Sequence, residues 1–210
     1  ASSRGLATEL RKQLGEQSAE LDEAIEGLRI KISGCFNSCG QHHAADIGFY
    51  GNSRKINGIT VPHFQVVLGG QWKENAGSFG LATGAVPSKN IPDVVSRLAK
   101  RFVEEREKDE LFKDFIGSLG KREIKAMLED LTQVPSYEEN SWYYRDWGDT
   151  RGFTMDDLGK GECAGEVVSI GIMEIAAAER EVFEASVALD ENELQAAWKG
   201  SLNAMLRAAR

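Results

Sequence analysis

The chain has few cysteines and no long apolar run, and both shortages narrow what it can be. Three cysteines in 210 residues do not make a disulfide framework, and two of them stand close together, which suits a metal role in a reducing compartment. No apolar stretch approaches the ~18 residues a membrane span needs, and no signal peptide is visible. A surplus of positive charge is also missing: 25 Lys and Arg against 33 Asp and Glu leave a formal charge of −8, which repels nucleic-acid phosphates. Gly77 to Pro87 is glycine-rich but lacks the Gly-x4-Gly-Lys-Ser/Thr order of a phosphate-binding loop, so it reads as a turn-rich connection. What is present is a 41% apolar content, enough for a core and too much for a disordered tail. The length fits one ordinary domain, or one with a small appendage. These features lead us to expect a soluble, cytoplasmic protein with neither nucleic acid nor membrane as partner.

Periodicity orders the rest. Leu6, Leu10, Leu14, Leu21, Ile25 and Leu28 recur near helical spacing among charged residues, which predicts one or two amphipathic helices over residues 4 to 28. Leu28 to Ile32 then alternates as a half-buried strand does, and Val61 to Leu68 is a second strand closed by Gly69-Gly70, with Asn52 to Gly58 a polar turn region between them. Pro92 opens a helix carrying Val94, Val95, Leu98, Ala99 and Phe102 inward, with Asn90 or Ile91 as its cap. Two short helices, Glu110 to Ile116 and Lys121 to Leu131, are separated by Gly117 and Gly120. Composition shifts between Gln133 and Lys160, where Trp142-Tyr143-Tyr144-Arg145-Asp146-Trp147 packs four aromatics into six residues. Such a cluster can stack on a tetrapyrrole or pin the segment to its own domain, and pinning is the commoner use. From Gly161 a helical hairpin follows, with Val167, Val168, Ile170, Ile172, Ala176 and Phe183 in one helix and Leu194, Ala197, Trp198, Leu202 and Met205 in the other. Two helices bury too little to stand alone, so the hairpin packs on the chain or on a partner.

Chemistry concentrates between Gly34 and Gly51. Cys35 and Cys39 flank Asn37, with glycines on either side that permit tight turns, so both thiolates can face one ion or cluster. The run Ile32-Ser33-Gly34-Cys35-Phe36-Asn37-Ser38-Cys39-Gly40, followed by Ala45-Asp46-Ile47-Gly48-Phe49-Tyr50-Gly51, resembles the second cysteine pair of sulfite and nitrite reductases that couple sirohaem to a 4Fe-4S cluster. Their pattern is Gly-Cys-Pro-Asn-x-Cys, and Phe36 departs from it at the proline.

The resemblance implies an α+β fold, a mixed sheet with flanking helices, followed by the all-helical tail. It divides the chain into a C-terminal part of the sirohaem and 4Fe-4S domain (1–134), an aromatic linker (135–160) and the hairpin (161–210). It makes Cys35 a cluster ligand and Cys39 the ligand that also bridges to the sirohaem iron. Gly34, Ser38 and Gly40 become candidate backbone donors to cluster sulfurs, and Asn37 the residue that fixes the loop. No catalytic side chain is assigned, because the anion-binding Lys and Arg of the family lie in its earlier parts. Lys31, Arg54 and Lys55 are possible partners for sirohaem carboxylates. The family's first pair, Cys-x5-Cys, precedes a helix that opens like Ser3-Arg4-Gly5-Leu6-Ala7, which leads us to expect a missing N-terminal portion and an isolated chain that is inactive. The implied reaction is multi-electron reduction of a small oxyanion, sulfite or nitrite, with electrons from a ferredoxin or a flavoprotein.

A rival reading is a zinc-binding structural module, since His42 and His43 follow the cysteines closely. Four ligands within nine residues make a cramped tetrahedron, and ordinary zinc knuckles are more widely spaced. A third is a non-catalytic interaction module. His63 is expected near the surface of its strand, and Cys163 to be a small buried residue.

Overall fold

The computed structural model describes residues 1–16, 23–72, 77–154 and 170–209. A four-stranded mixed sheet in the order β1-β2-β3-β4 forms the body. Strand β1 (Ile30–Ser33) runs parallel to β2 (Ile47–Ile56), and β3 (Ile59–Leu68) and β4 (Leu81–Pro87) follow antiparallel. Parallel neighbours cannot be joined by a tight turn. The chain between Ser33 and Ile47 must therefore travel back along the sheet, and it contains the cysteine loop.

Two strands differ from the sequence reading. Residues 52–56 continue β2 instead of turning, because Ser53, Arg54 and Lys55 pair with Pro62, Val61 and Thr60. The turn itself shrinks to Asn57-Gly58, both at positive φ (50° and 84°), the conformation a two-residue hairpin selects. The stretch expected to be a turn-rich connection supplies β4, which pairs His63 with Pro87 and Leu68 with Leu81. Its Gly and Ala residues carry little strand signal, and sheet pairing overrides them.

One face of the sheet buries Ile47, Phe49, Phe64, Val66, Leu68 and Val86 under helices. These are α1 (Ser3–Glu16), α3 (Ile91–Glu105) and α4 (Phe112–Leu128), with α2 (Glu23–Glu26) a single turn. Pro92 occupies the first turn of α3, and Val94, Val95, Leu98 and Phe102 face inward as the spacing requires. Phe102, Phe112 and Phe115 cluster with ring centroids 5.2 to 6.3 Å apart. Asn90 precedes α3 without capping it through its side chain. That amide instead donates to the Leu131 carbonyl (2.8 Å) and accepts from the Tyr143 hydroxyl (2.7 Å). The predicted pair of short helices is one interrupted element, with Gly120 at φ 75°, ψ 162°.

The tail helices are α5 (Ile170–Asp190) and α6 (Leu194–Ala208). Val167, Val168, Cys163 and Leu21 lie outside the described residues. Helix α5 packs against β4 and α4, joined by a Lys125–Glu184 ion pair (2.5 Å) and by the Tyr50 hydroxyl donating to Glu179 (3.2 Å). The hairpin is thus seated on the body. Beneath this second face lie Tyr50, Gln65 and Val67, and His63, which is 1% exposed where the sequence suggested the surface. Strand alternation puts His63 on this face, and only the tertiary fold covers it. Its Nδ1 bonds the Val61 carbonyl (3.0 Å), and burial holds its pKa down at about 4.

Candidate functional site

The cysteine loop leaves β1 at Ser33 and is held from several directions. Asp46, at the start of β2, accepts from the Arg29 backbone amide (2.9 Å) and from the Arg29 guanidinium (2.9 and 3.1 Å). That pair fastens the residue before β1 to the residue before β2, and so fixes both ends of the loop. Ser33 Oγ accepts from the Gly40 amide (3.1 Å) and meets His42 Nδ1 (2.7 Å). Ser38 and Gln41 adopt left-handed backbone (φ 56° and 58°), which is uncommon for non-glycine residues and gives the loop its two tight turns. Gly69-Gly70, after β3, donate to the Asp46 and Ala45 carbonyls (both 2.9 Å). A side chain on Gly70 would overlap the His43 and Ala45 backbone, so this close approach requires glycine.

Cys35 and Cys39 are free thiols, Cys35 half-buried and Cys39 exposed. Both line a cleft of about 1070 Å³, together with Ser33, Gly34 and Gly40. The lining also includes Arg4, Ala7, Arg11 and Leu14 of α1, and Asp146-Trp147, Phe153 and the ion pair of Arg151 with Asp149 (2.6 Å). The volume lies at the upper end of the range for small-molecule and cofactor sites. The α1 wall was legible as a helix face, since Arg4, Ala7, Arg11 and Leu14 are spaced by three and four. Arg151 carried no sequence signal, because only the return of the aromatic segment brings it here.

That segment is pinned. Trp147 Nε1 donates to the Ser88 carbonyl (3.0 Å), Tyr144 to the Pro135 carbonyl (3.0 Å), and Asp146 accepts from the Ser2 amide (2.7 Å). Lys89 Nζ stands 4.6 Å from the Trp142 ring and 4.0 Å from that of Trp147, and burial lowers its pKa to about 8. The described part of the linker therefore packs on the body, and Asp146 to Phe153 contribute to the cleft lining.

Other expected contributors fall elsewhere. Lys31 Nζ bonds Gln41 (2.7 Å), and Lys31, Arg54 and Lys55 are not among the cleft residues. His42 is fully buried beside Tyr50 (ring centroids 4.8 Å apart), and burial, reinforced by His43, lowers its pKa to about 3. His43 meets Ser38 Oγ (3.3 Å) and lies 4.0 Å from Glu179. Among the described residues no three His, Cys, Asp or Glu side chains converge as a metal set. The zinc reading thus lacks its four donors. Two soft thiols opening on one cleft fit part of an iron–sulfur ligand set.

Comparison with known proteins agrees with this donor chemistry. Residues 25–135, slightly more than half of the chain, match the family described as "Nitrite and sulphite reductase 4Fe-4S domain". The ferredoxin sulfite reductase of Mycobacterium tuberculosis is 36% identical over 129 residues, 60% of this chain and 21% of the relative. The chloroplastic ferredoxin–nitrite reductase of Betula pendula is 41% identical over 88 residues, 40% of this chain and 15% of the relative. The solved structure of the Mycobacterium tuberculosis NirA protein matches 57% of this chain and 22% of its own, at 31% identity and a TM-score of 0.47. The chain spans about a fifth of the length of the first curated relatives it matches. With the cysteine loop, its clamp at Asp46 and the sheet beneath it all inside the matched residues, the chain belongs to the nitrite and sulphite reductase 4Fe-4S domain family.

Proposed function

We propose that this chain carries the second cysteine pair of a sirohaem-dependent sulfite or nitrite reductase. Cys35 would be a ligand of the 4Fe-4S cluster, and Cys39 would serve both the cluster and the sirohaem. The observation that supports this best is the shared cleft, which both thiols line together with Arg4 and Arg11 of α1. When bound, the cluster and sirohaem supply single electrons and an iron site for multi-electron reduction of a small oxyanion, sulfite to sulfide or nitrite to ammonia.

The chain's own residues hold that site. Asp46 and Arg29 fix the loop ends, and Ser33 and His42 brace its return. Arg4 and Arg11 place positive charge on the cleft lining for anionic cofactor carboxylates or substrate, while Arg151 is paired with Asp149 (2.6 Å), which lines the same cleft. The Gly40 amide is engaged by Ser33, which leaves Gly34 and Ser38 as the candidate donors to cluster sulfur, with Asn37 shaping the turn between the thiols. The chain supplies two of the four thiolates such a cluster uses, and the other pair comes from polypeptide beyond these residues. Ferredoxin is the proposed electron donor, since both reductases named above carry it in their names. Residues 1–134 form the reductase portion, 135–160 are an aromatic linker of which Asp146, Trp147, Arg151 and Phe153 line the cleft, and 161–210 are an addition to it.

The test uses a reductase that contains these residues. Cys39→Ser is expected to lose sirohaem absorption and turnover together, while Cys35→Ser chiefly loses the cluster signal in paramagnetic resonance. Full sirohaem absorption with normal turnover in Cys39→Ser would overturn the assignment.

A further inference from the structure

The hairpin buries small residues between its helices and leaves large ones outside. Ala178 and Ala185 of α5 and Ala197 and Ala204 of α6 are all nearly inaccessible where the two helices pack, and Gly200 lies directly against Ala185. Ile175, Val182 and Leu189 are 52 to 59% exposed and recur every seven residues along α5. Leu194, Trp198 and Met205 are 61 to 69% exposed along α6, with Leu202 beside them at 36%. Helical geometry puts the two stripes on the same side of the pair: each lies about a quarter-turn from the line joining the helices, in opposite rotational senses because they run antiparallel. The ion pairs of Arg207 with Glu174 (2.9 Å) and Glu181 (3.6 Å) take the other side.

Polar positions within the apolar face are already satisfied. Ser186 Oγ donates to the Val182 carbonyl and Ser201 Oγ to that of Ala197, both at 2.8 Å, so covering these hydroxyls strands no donor. The stripes carry no charged side chain, which disfavours a partner recognised by electrostatics. Together the seven residues expose the equivalent of about four whole large side chains, on the order of 700 Å². A standard interface buries about 800 Å² on each partner. A flat, uncharged, two-helix face with seven-residue spacing is complementary to its own two-fold copy, because two antiparallel hairpins close a four-helix bundle. The face lies outside residues 25–135, the part shared with the family.

We propose that this face is a homodimer interface, in which Trp198 and the two apolar stripes of one chain pack on those of a second copy to form a four-helix bundle.

Sedimentation equilibrium of the 210-residue chain tests this. The expected result is twice the chain mass at protein concentrations of roughly 10–100 µM, in keeping with a standard-size interface. Trp198→Glu, at a side chain already 69% exposed within one chain, is expected to fold with unchanged far-ultraviolet helicity and to sediment as a monomer, its dissociation constant raised at least 100-fold. Lys199→Glu, exposed on the neighbouring flank, is expected to leave the dimer intact. A monomeric native chain across that range would overturn the proposal and hand the face to a different polypeptide. So would a Trp198→Glu variant that still dimerises.

Discussion

Asp46→Ala should release the cysteine loop, and the structure sets the size of the effect. Asp46 is 13% exposed at its side chain and holds Arg29, itself 26% exposed, through three hydrogen bonds of 2.9 to 3.1 Å. Charge-assisted bonds of this kind contribute about 1.5–3 kcal/mol each relative to solvent, but they are not additive and the guanidinium is partly wetted. Arg29 Nη1 is already buried without a bond, so removing the carboxylate leaves more of that cation unsatisfied. Stacking on Trp72, whose ring lies 5.4 Å away, retains only part of its stabilisation. Breaking a buried pair from one side costs about 3–5 kcal/mol, and with partial exposure we expect about 3 kcal/mol here. With a urea slope of about 2 kcal/mol per molar, the unfolding midpoint should fall by about 1.5 M at constant slope. Alkylation of Cys35 and Cys39 by iodoacetamide under native conditions should accelerate, since the loop loses the clamp at both ends. A destabilisation below about 1 kcal/mol, or unchanged alkylation rates, would refute the reasoning, because Asp46 would then be a surface ion pair.

Three further outcomes follow from the same geometry. His63 resists protonation in the folded chain down to about pH 4 while the unfolded chain binds its proton near pH 6.5, so its contribution is present above pH 6.5 and lost as pH falls towards 4. Chemical denaturation across that window should show about 3 kcal/mol of loss from this group, and His63→Gln should flatten the slope correspondingly. In Gly48→Ala the added methyl would overlap the His42 carbonyl. That overpacking costs about 1–3 kcal/mol, and calorimetry should record a fall in Tm of roughly 5 °C. The 210-residue chain expressed alone should hold no stoichiometric 4Fe-4S cluster, since two thiolates leave two irons without protein ligands. Iron and acid-labile sulfide near four each per chain would contradict this, and one zinc per chain would restore the structural-metal reading.

Local chemistry determined what could be read without a structure. Soft ligands and their spacing are covalent facts of the chain, so Cys35, Cys39 and the Asp46-Ile47-Gly48-Phe49 run pointed to an iron–sulfur reductase family before any fold was known. Helices showed themselves through period and punctuation, as at Pro92 and Gly120, because those signals act within a few residues. Strand β4 and the second half of β2 did not: their residues are small or polar, and what makes them strands is the partner across the sheet, a non-local condition. The same limit hid the site. That Asp46 clamps Arg29, that Arg151 and Trp147 border the cleft, and that His63 is buried are consequences of which segments the fold returns to one place. A sequence can name a thiol and a guanidinium, but only packing of segments far apart in the chain can put them on one cleft.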